Sequence, residues 1–370
     1  MTSPEADNRY RHPTTGRWGQ ALAAAMNHGG WARARRAVMA RLPFMTLASD
    51  VHDVVYLNWL VPVAAAQSLA PPGLTLWQQG GWTPFTVLSY RHRHFGPAAL
   101  GPLRRLCPSP RQSNWRLYLA DLESDSARPH SAEPHLALDP MVAAPVGADV
   151  TTTDPAGPHR TEARRAGSPL AKPGRADADA AGRDPAGLAA AGPGGAEPTA
   201  PVTHTVLFLK NVMDSLPFTL ATRLFSDALP THLPQSFTHQ RVGHRIATTI
   251  APGRGSAPAL NAAVELTATR QFAPEAALFA QVFGSWDQAV RMLACQDAAI
   301  TAVPTAGTTP APLAWAAIDL PIALPQVVPA LPVAPVQCAL LAAFAQAVGP
   351  FCFVVEQVPF RVLSERVLPR

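Results

Sequence analysis

The chain has 370 residues, 48% of them hydrophobic, with 40 prolines and a formal net charge of +5. There is room for one large domain or two ordinary ones, and the hydrophobic share is normal for a globular core. The charge rests on arginine, since the only lysines are Lys172 and Lys210. An arginine-rich, Ala- and Pro-heavy chain reads as the product of a GC-rich coding genome, so its basicity is discounted as a sign of a nucleic-acid partner. Cys107, Cys295, Cys338 and Cys352 show neither CxxC spacing nor a disulfide framework and read as reduced thiols of a cytoplasmic protein. The first residues lack the apolar segment of a signal peptide. The uncharged stretch from Val336 to Val355 contains Gly349-Pro350 and two glutamines, so it reads as core and not as a membrane span.

In chain order, residues 1–50 form an N-terminal helical arm. GQALAAAMNH predicts a short helix ended by Gly29-Gly30. WARARRAVMARL predicts a second, with Arg33, Arg35, Arg36 and Arg41 around the stripe Trp31, Val38 and Leu42. Such a helix either binds phosphate or acidic lipid, or packs as a solvated amphipathic element beside the sheet; the second reading is preferred. The stretch from Val54 to Phe95 organises the rest of the chain. VVYLNWLV is a buried strand, Pro62 suits a first helical turn, and Val63–Leu69 is a short helix stopped by Pro71-Pro72-Gly73. A strand from Leu74 to Gln78 and one from Trp82 to about His94 flank a Gly80-Gly81 turn. After a loop, NWRLYLADL alternates, with Asn114, Arg116 and Tyr118 on one face and Trp115, Leu117 and Leu119 on the other.

Residues 123–202 change character to short alternations of Ala, Pro, Gly, Asp and Arg without an aromatic residue. Such a segment buries too little surface to offset its chain entropy and reads as a disordered insertion. Order returns at VTHTVLFLKNVMD, a strand with Val206, Phe208 and Lys210 on one side, and at the helix SLPFTLATRLFSDAL. An extended, histidine-bearing segment comes next, then two strands around Gly253-Arg254-Gly255. Helices are expected at Pro274–Phe283, Trp286–Leu293 and Pro335–Val348, with strands LAWAAIDLP and FCFVVEQVPFRVL.

VVYLNWLVPVAAAQSLAPPGLTL, NWRLYL and LPFTLATRLFSDALPTHLP together resemble a bacterial family, domain-of-unknown-function family 2071, grouped with the acetoacetate decarboxylase-like fold. The similarity spans Val51–Leu119 and Thr203–Arg366. It implies an α+β, mainly antiparallel protein: one double-layered β-barrel built from residues 51–122 and 203–370, with peripheral helices and a small-molecule pocket inside. The decarboxylases attack a ketone with a lysine that follows a proline after the helix equivalent to ATRLFSDAL. Here that place reads Pro230-Thr231-His232, and Thr86 and Gln112 stand near the positions of the barrel glutamates. Decarboxylase chemistry is therefore not expected.

The site residues predicted to contact a ligand are Thr86, His92, Asn114, Arg116, Tyr118, Lys210 and His232. Arg116 could hold a carboxylate through paired N–H groups, with Asn114 and Tyr118 fixing its orientation; the same row could instead satisfy backbone groups at a seam. Lys210, if its face were the interior, would be desolvated into a nucleophile; a strand lysine otherwise marks a wet face. His92 and His94 alternate with arginines and would point the same way, so an HxH pair could hold a metal with His232, His239 or His244. No carboxylate completes that set, and a polar strand end is preferred. No phosphate loop, GxSxG elbow or paired-carboxylate pattern is present, and neither a cofactor nor a metal is expected. The reading is a small-molecule barrel, carboxylate-selective, with homo-oligomerisation left open and no membrane partner. Its rivals are a lyase or hydrolase using Lys210 or histidines in the same cavity, and a nucleic-acid binder acting through the arginine helix.

Overall fold

Long apolar runs in β1 (Leu47–Pro62), β2 (Trp82–Pro97) and β13 (Val348–Leu368) give stretches buried on both faces, at residues 54–61, 83–90 and 351–355. The computed structural model describes residues 8–39, 41, 43–120, 204–303 and 312–368. These residues lie in a unit formed by residues 1–128 and 200–370. The predicted insertion, residues 123–202, lies outside the described residues.

Strand pairing returns on itself. From β1 it runs through β2, β3 (Arg111–Tyr118), β4 (Thr205–Met213), β9 (Ala298–Ala302) and β10 (Leu313–Asp319) to β13, which pairs again with β1. All these pairings are antiparallel except β4 with β9. The length of β13 makes the closure: it lies along β1 on one edge and meets β10 on the other. On that second edge it also carries a branch, β11 (Val327–Pro332), followed by β8 (Leu260–Leu266), β7 (Arg245–Ala251) and β6 (Ser236–Val242). The branch strands alternate buried and exposed residues, as strands with one wet face do.

Among the described residues two large apolar cores result, beside a small cluster of Ala228, Val303, Ala314, Ala316 and Val362. Between branch and ring lie Leu57, Trp59, Phe85, Trp115, Leu117 and Val212, packed with Phe237, Ile246, Ile250 and Leu260. The opposite face of the same ring strands carries Tyr56, Tyr90, Phe208 and Phe353, covered in part by α5 (Leu278–Phe283) and α6 (Trp286–Ala294). Ser285 caps α6 by accepting the Gln288 amide. Of the arm, α1 (Arg17–Met26) and α2 (Gly29–Met39) are helical as predicted. Arg35 and Arg36 both pair with Asp227, just after α4 (Leu216–Phe225). Two of the four arginines that a phosphate-binding arm would need are thus spent within the chain.

Several local expectations change. Leu74–Gln78 forms no strand; only Leu76 bridges to Leu119, and the Gln67 side chain takes up the Leu74 carbonyl and the Leu76 amide. The helix expected over Pro335–Val348 is replaced by β12 (Gln337–Cys338) on the edge of β8 and a 3-10 turn over Ala339–Ala343. The loop after β2 carries 3-10 turns across Ala98–Leu106. Among the described residues no helix is long and apolar enough to cross a membrane.

Candidate functional site

The ring interior holds a cavity of about 30 Å³, walled by Val51, Val54, Leu88, Phe208, Ile318 and Val358. That is room for about two waters. Its polar groups are few: Tyr56, Tyr90, Gln112, Asn114, Asn211, Thr222 and Gln296. Alternation along β3 explains the set. Asn114 pairs with Leu88 and Asn211, Arg116 with Thr86 and Phe208, and Tyr118 with Val206, so all three side chains of the predicted row share the interior face.

Beside the cavity lies a buried cation. Arg116 is fully buried, yet among the described residues no carboxylate pairs with it. It donates from Nε to the Tyr118 hydroxyl at 3.2 Å, from Nη2 to the Leu293 carbonyl at 2.6 Å, and from Nη1 to Gln296 Oε1. Leu293 belongs to the last turn of α6, whose carbonyls have no helical partner and carry the negative end of the helix dipole. The helix end therefore stabilises the guanidinium in place of an acid. Tyr56 and Tyr118 add ring faces at 5.5 and 5.3 Å. Tyr118 also donates to Leu293 O at 2.8 Å, and Thr86 donates to Asn58 Oδ1 at 2.7 Å while lying 3.0 Å from Tyr118. The Tyr56 hydroxyl finds no well-aligned partner. Burial pushes its pKa up to about 12 against the nearby Arg116 charge, so it remains a proton donor.

A second polar chain lies toward the other end. His92, fully buried, contacts Ser49 Oγ through Nδ1 at 2.9 Å and Gln112 Oε1 through Nε2 at 2.6 Å. Gln112 Nε2 donates to Asn114 Oδ1 at 3.0 Å and Asn211 Oδ1 at 2.8 Å. Asn114 Nδ2 donates to the Tyr90 hydroxyl at 3.1 Å, and Asn211 Nδ2 to Thr231 Oγ1 at 2.6 Å. Burial lowers the His92 pKa to about 4, opposed by the Gln112 bond, so the ring is neutral near pH 7. Burial also raises the Tyr90 pKa.

Two predicted contacts fall elsewhere. Leu209 is an extra residue in β4: Trp115 faces Lys210 while Arg116 faces Phe208. The bulge turns Lys210 onto the Trp115 and Val212 face, so it does not share a side with Val206 and Phe208. His232 pairs with Val212 on that same outer side. It is fully buried, with Nδ1 2.6 Å from Ser256 Oγ. Burial, then the charges of Lys210, Arg223 and Arg11, push its pKa well below the usual histidine value. The predicted set therefore divides: Thr86, His92, Asn114, Arg116 and Tyr118 face the interior, Lys210 and His232 do not.

The expected alignment of His92 with His94 also fails. His94 takes φ +55° where β2 has two residues against one of β1, and this bulge gives the inward position beside His92 to Phe95, stacked on it at 4.4 Å. Among the described residues no cluster of three or more His, Cys, Asp or Glu could hold a metal. Sequence reasoning missed Tyr56, Tyr90, Asn211 and Gln296. Alternation along their strands marks Tyr56 and Tyr90. Asn211 is hidden by the bulge, and Gln296 lies beyond a helix end where no periodicity applies.

The chain is similar in fold to an acetoacetate decarboxylase-like enzyme from Sphingomonas wittichii RW1, at 9% identity and TM-score 0.46, over 88% of this chain and 94% of that one. It is similar also to the enduracididine biosynthesis enzyme MppR complexed with pyruvate, at 9% identity and TM-score 0.47, covering 89% and 91%. A third likeness is to the acetoacetate decarboxylase of Legionella pneumophila, at 6% identity and TM-score 0.43, covering 88% of each. Identities this low say nothing of what the present chain binds. No family model and no curated protein matches the chain.

Proposed function

We propose that the ring interior is a binding chamber for a small acid with an apolar body, in a double-layered barrel made by residues 51–122 and 203–370 of a cytoplasmic protein. The resemblance to domain-of-unknown-function family 2071 and an unstructured insertion over 123–202 belong to the same reading. The observation that carries it is the lining: apolar walls with a few hydroxyl and amide groups among them, and behind Gln296 a buried guanidinium without an acid partner among the described residues. Such a charge favours an incoming anion: its neutral acceptors and the helix end satisfy its N–H groups with partial negative charge only, and a carboxylate would add a full one. Schiff-base chemistry has no place in this reading, since the one lysine among the described residues lies on the opposite face.

The test is calorimetric titration of acetate and of its neutral analogue acetamide into wild type and Arg116→Met. Methionine has a similar length and leaves no charge. Acetate binding by wild type is expected to fall at least roughly tenfold in the variant, through loss of the charge that acts on the chamber from behind Gln296, with acetamide little changed. Equal acetate affinity in both proteins, or none in wild type, would defeat the reading. So would a borohydride-stable adduct at Lys210 after incubation with a β-keto acid.

A further inference from the structure

The hydrogen-bond chain behind the chamber has a direction, and that direction decides what the chamber can bind. An amide side chain offers oxygen on one side and N–H on the other, so reversing one member of a chain of amides forces its neighbours to reverse. Gln112 is the branch point: it meets His92 on one side and both Asn114 and Asn211 on the other. In the structure Gln112 turns its oxygen to His92, which requires a proton on His92 Nε2. Asn114 and Asn211 then turn their oxygens to Gln112 and their N–H groups outward. Tyr90 receives the Asn114 N–H, and its own hydroxyl proton has no acceptor among the described residues. Tyr90 lines the cavity, so that proton is available to a ligand.

The reverse arrangement is also connected, except that Thr231, which now accepts from Asn211 and donates to the Leu229 carbonyl, would have to give up that donation to meet an Asn211 oxygen. With the proton on Nδ1, His92 would donate to Ser49, which keeps its own bond to the Arg93 carbonyl at 3.1 Å; with the proton on Nε2, Ser49 turns its one proton to Nδ1 and gives that bond up. Gln112 would then donate to His92, both asparagines would donate to Gln112, and Tyr90 would give its proton to Asn114. The same cavity would present an acceptor where it now presents a donor. The place of one ring proton, on Nδ1 or on the Nε2 that lies 2.6 Å from Gln112 Oε1, separates the two states.

We infer that His92 is the positioning residue that sets the polarity of the chamber: its Nε2–H fixes the amides of Gln112, Asn114 and Asn211 so that Tyr90 donates to the ligand. This rests on the chamber being the binding site and adds that the site selects hydrogen-bond acceptors. His92 touches Ser49, Gln112, Tyr90, Phe95 and Phe360 and acts through Gln112.

The experiment compares full-length wild type, His92→Gln and His92→Leu, with acetate as the probe. Glutamine can return an N–H to the Nε2 position; leucine cannot. Nitrogen-15 NMR of wild type is expected to show the proton on Nε2. Acetate affinity should fall roughly tenfold or more in His92→Leu, the worth of a hydrogen bond to a charged group, and return to within a few-fold of wild type in His92→Gln. Cooperative melting of each variant separates this from loss of fold. A proton on Nδ1 in wild type overturns the inference whether or not acetate binds, and so does undiminished acetate affinity in a folded His92→Leu. If Nε2 carries the proton but wild type ignores acetate, the chamber reading fails while the NMR result upholds the direction assigned to His92.

Discussion

The two faces of β3 and β4 alternate along the same strands and are built on opposite terms. On the branch side, Trp115, Leu117, Leu207 and Val212 pack against Phe237 and Ile246. On the ring side, Asn114, Arg116, Tyr118 and Asn211 are just as buried, but each is held by named hydrogen bonds. Burial alone therefore does not separate core from site here. What separates them is how many polar side chains are gathered: the ring side joins its own in hydrogen-bonded chains, whereas the branch side is mainly apolar, with Trp115 Nε1 and His232 Nε2 left unpartnered among the described residues. On the ring side the Tyr56 and Tyr90 hydroxyls keep donor capacity, and the Arg116 charge meets no carboxylate, among the described residues.

The two faces should fail differently. Trp115→Ala should cost about 3–5 kcal/mol, because its indole fills the interlayer core and the surroundings relax only in part. A fall in the denaturant midpoint with unchanged slope measures this; a loss under 1 kcal/mol, read against the usual cost of such a truncation, would mean that the layers do not depend on that ring. Acid should act through groups on both layers. His92 in the ring and His239 in the branch are each held near 4 against an ordinary 6.5, chiefly by burial. The unfolded chain then binds protons that the folded chain refuses. Stability is complete above about pH 6.5 and falls as the pH drops toward 4, by a few kcal/mol in all. Denaturant titrations across that range test it, and flat stability would contradict the buried neutral imidazoles.

The smallest effect is expected outside both faces. Asp227→Ala releases Arg35 and Arg36 and should cost about 1 kcal/mol, as partly exposed ion pairs do. Faster hydrogen exchange in α2, with acetate binding intact, would place the arm outside the chamber's energetics. Slowed or unchanged exchange would show that Asp227 does not hold it.

Periodicity decides how much of the fold and the site is legible in the sequence. Simple alternation gives the row Asn114, Arg116, Tyr118, and the structure keeps it on one face because β3 itself carries no extra residue. The same rule misplaces Lys210, since one added residue at Leu209 reverses every later side chain in β4. A second bulge misplaces His94 in the same way. Pro335–Val348 shows the limit of composition: an apolar, helix-compatible stretch is drawn out by the edge of β8, which offers backbone partners to Gln337 and Cys338. Arg116's actual partner, the end of α6, lies 177 residues along the chain and leaves no local trace.

The chamber as the binding site is most directly tested by filling it. Ala316 is buried on β10 and lines the cavity. Ala316→Leu adds three carbons, more than a cavity of about 30 Å³ can spare for a ligand. Melting temperature would be followed for wild type and variant as acetate replaces chloride at constant ionic strength. A ligand that binds the folded state raises stability in proportion to the logarithm of its concentration. The expected result is a rising melting temperature for wild type and a flat response for a folded Ala316→Leu. The same rise in both proteins would put the acid somewhere other than the ring interior.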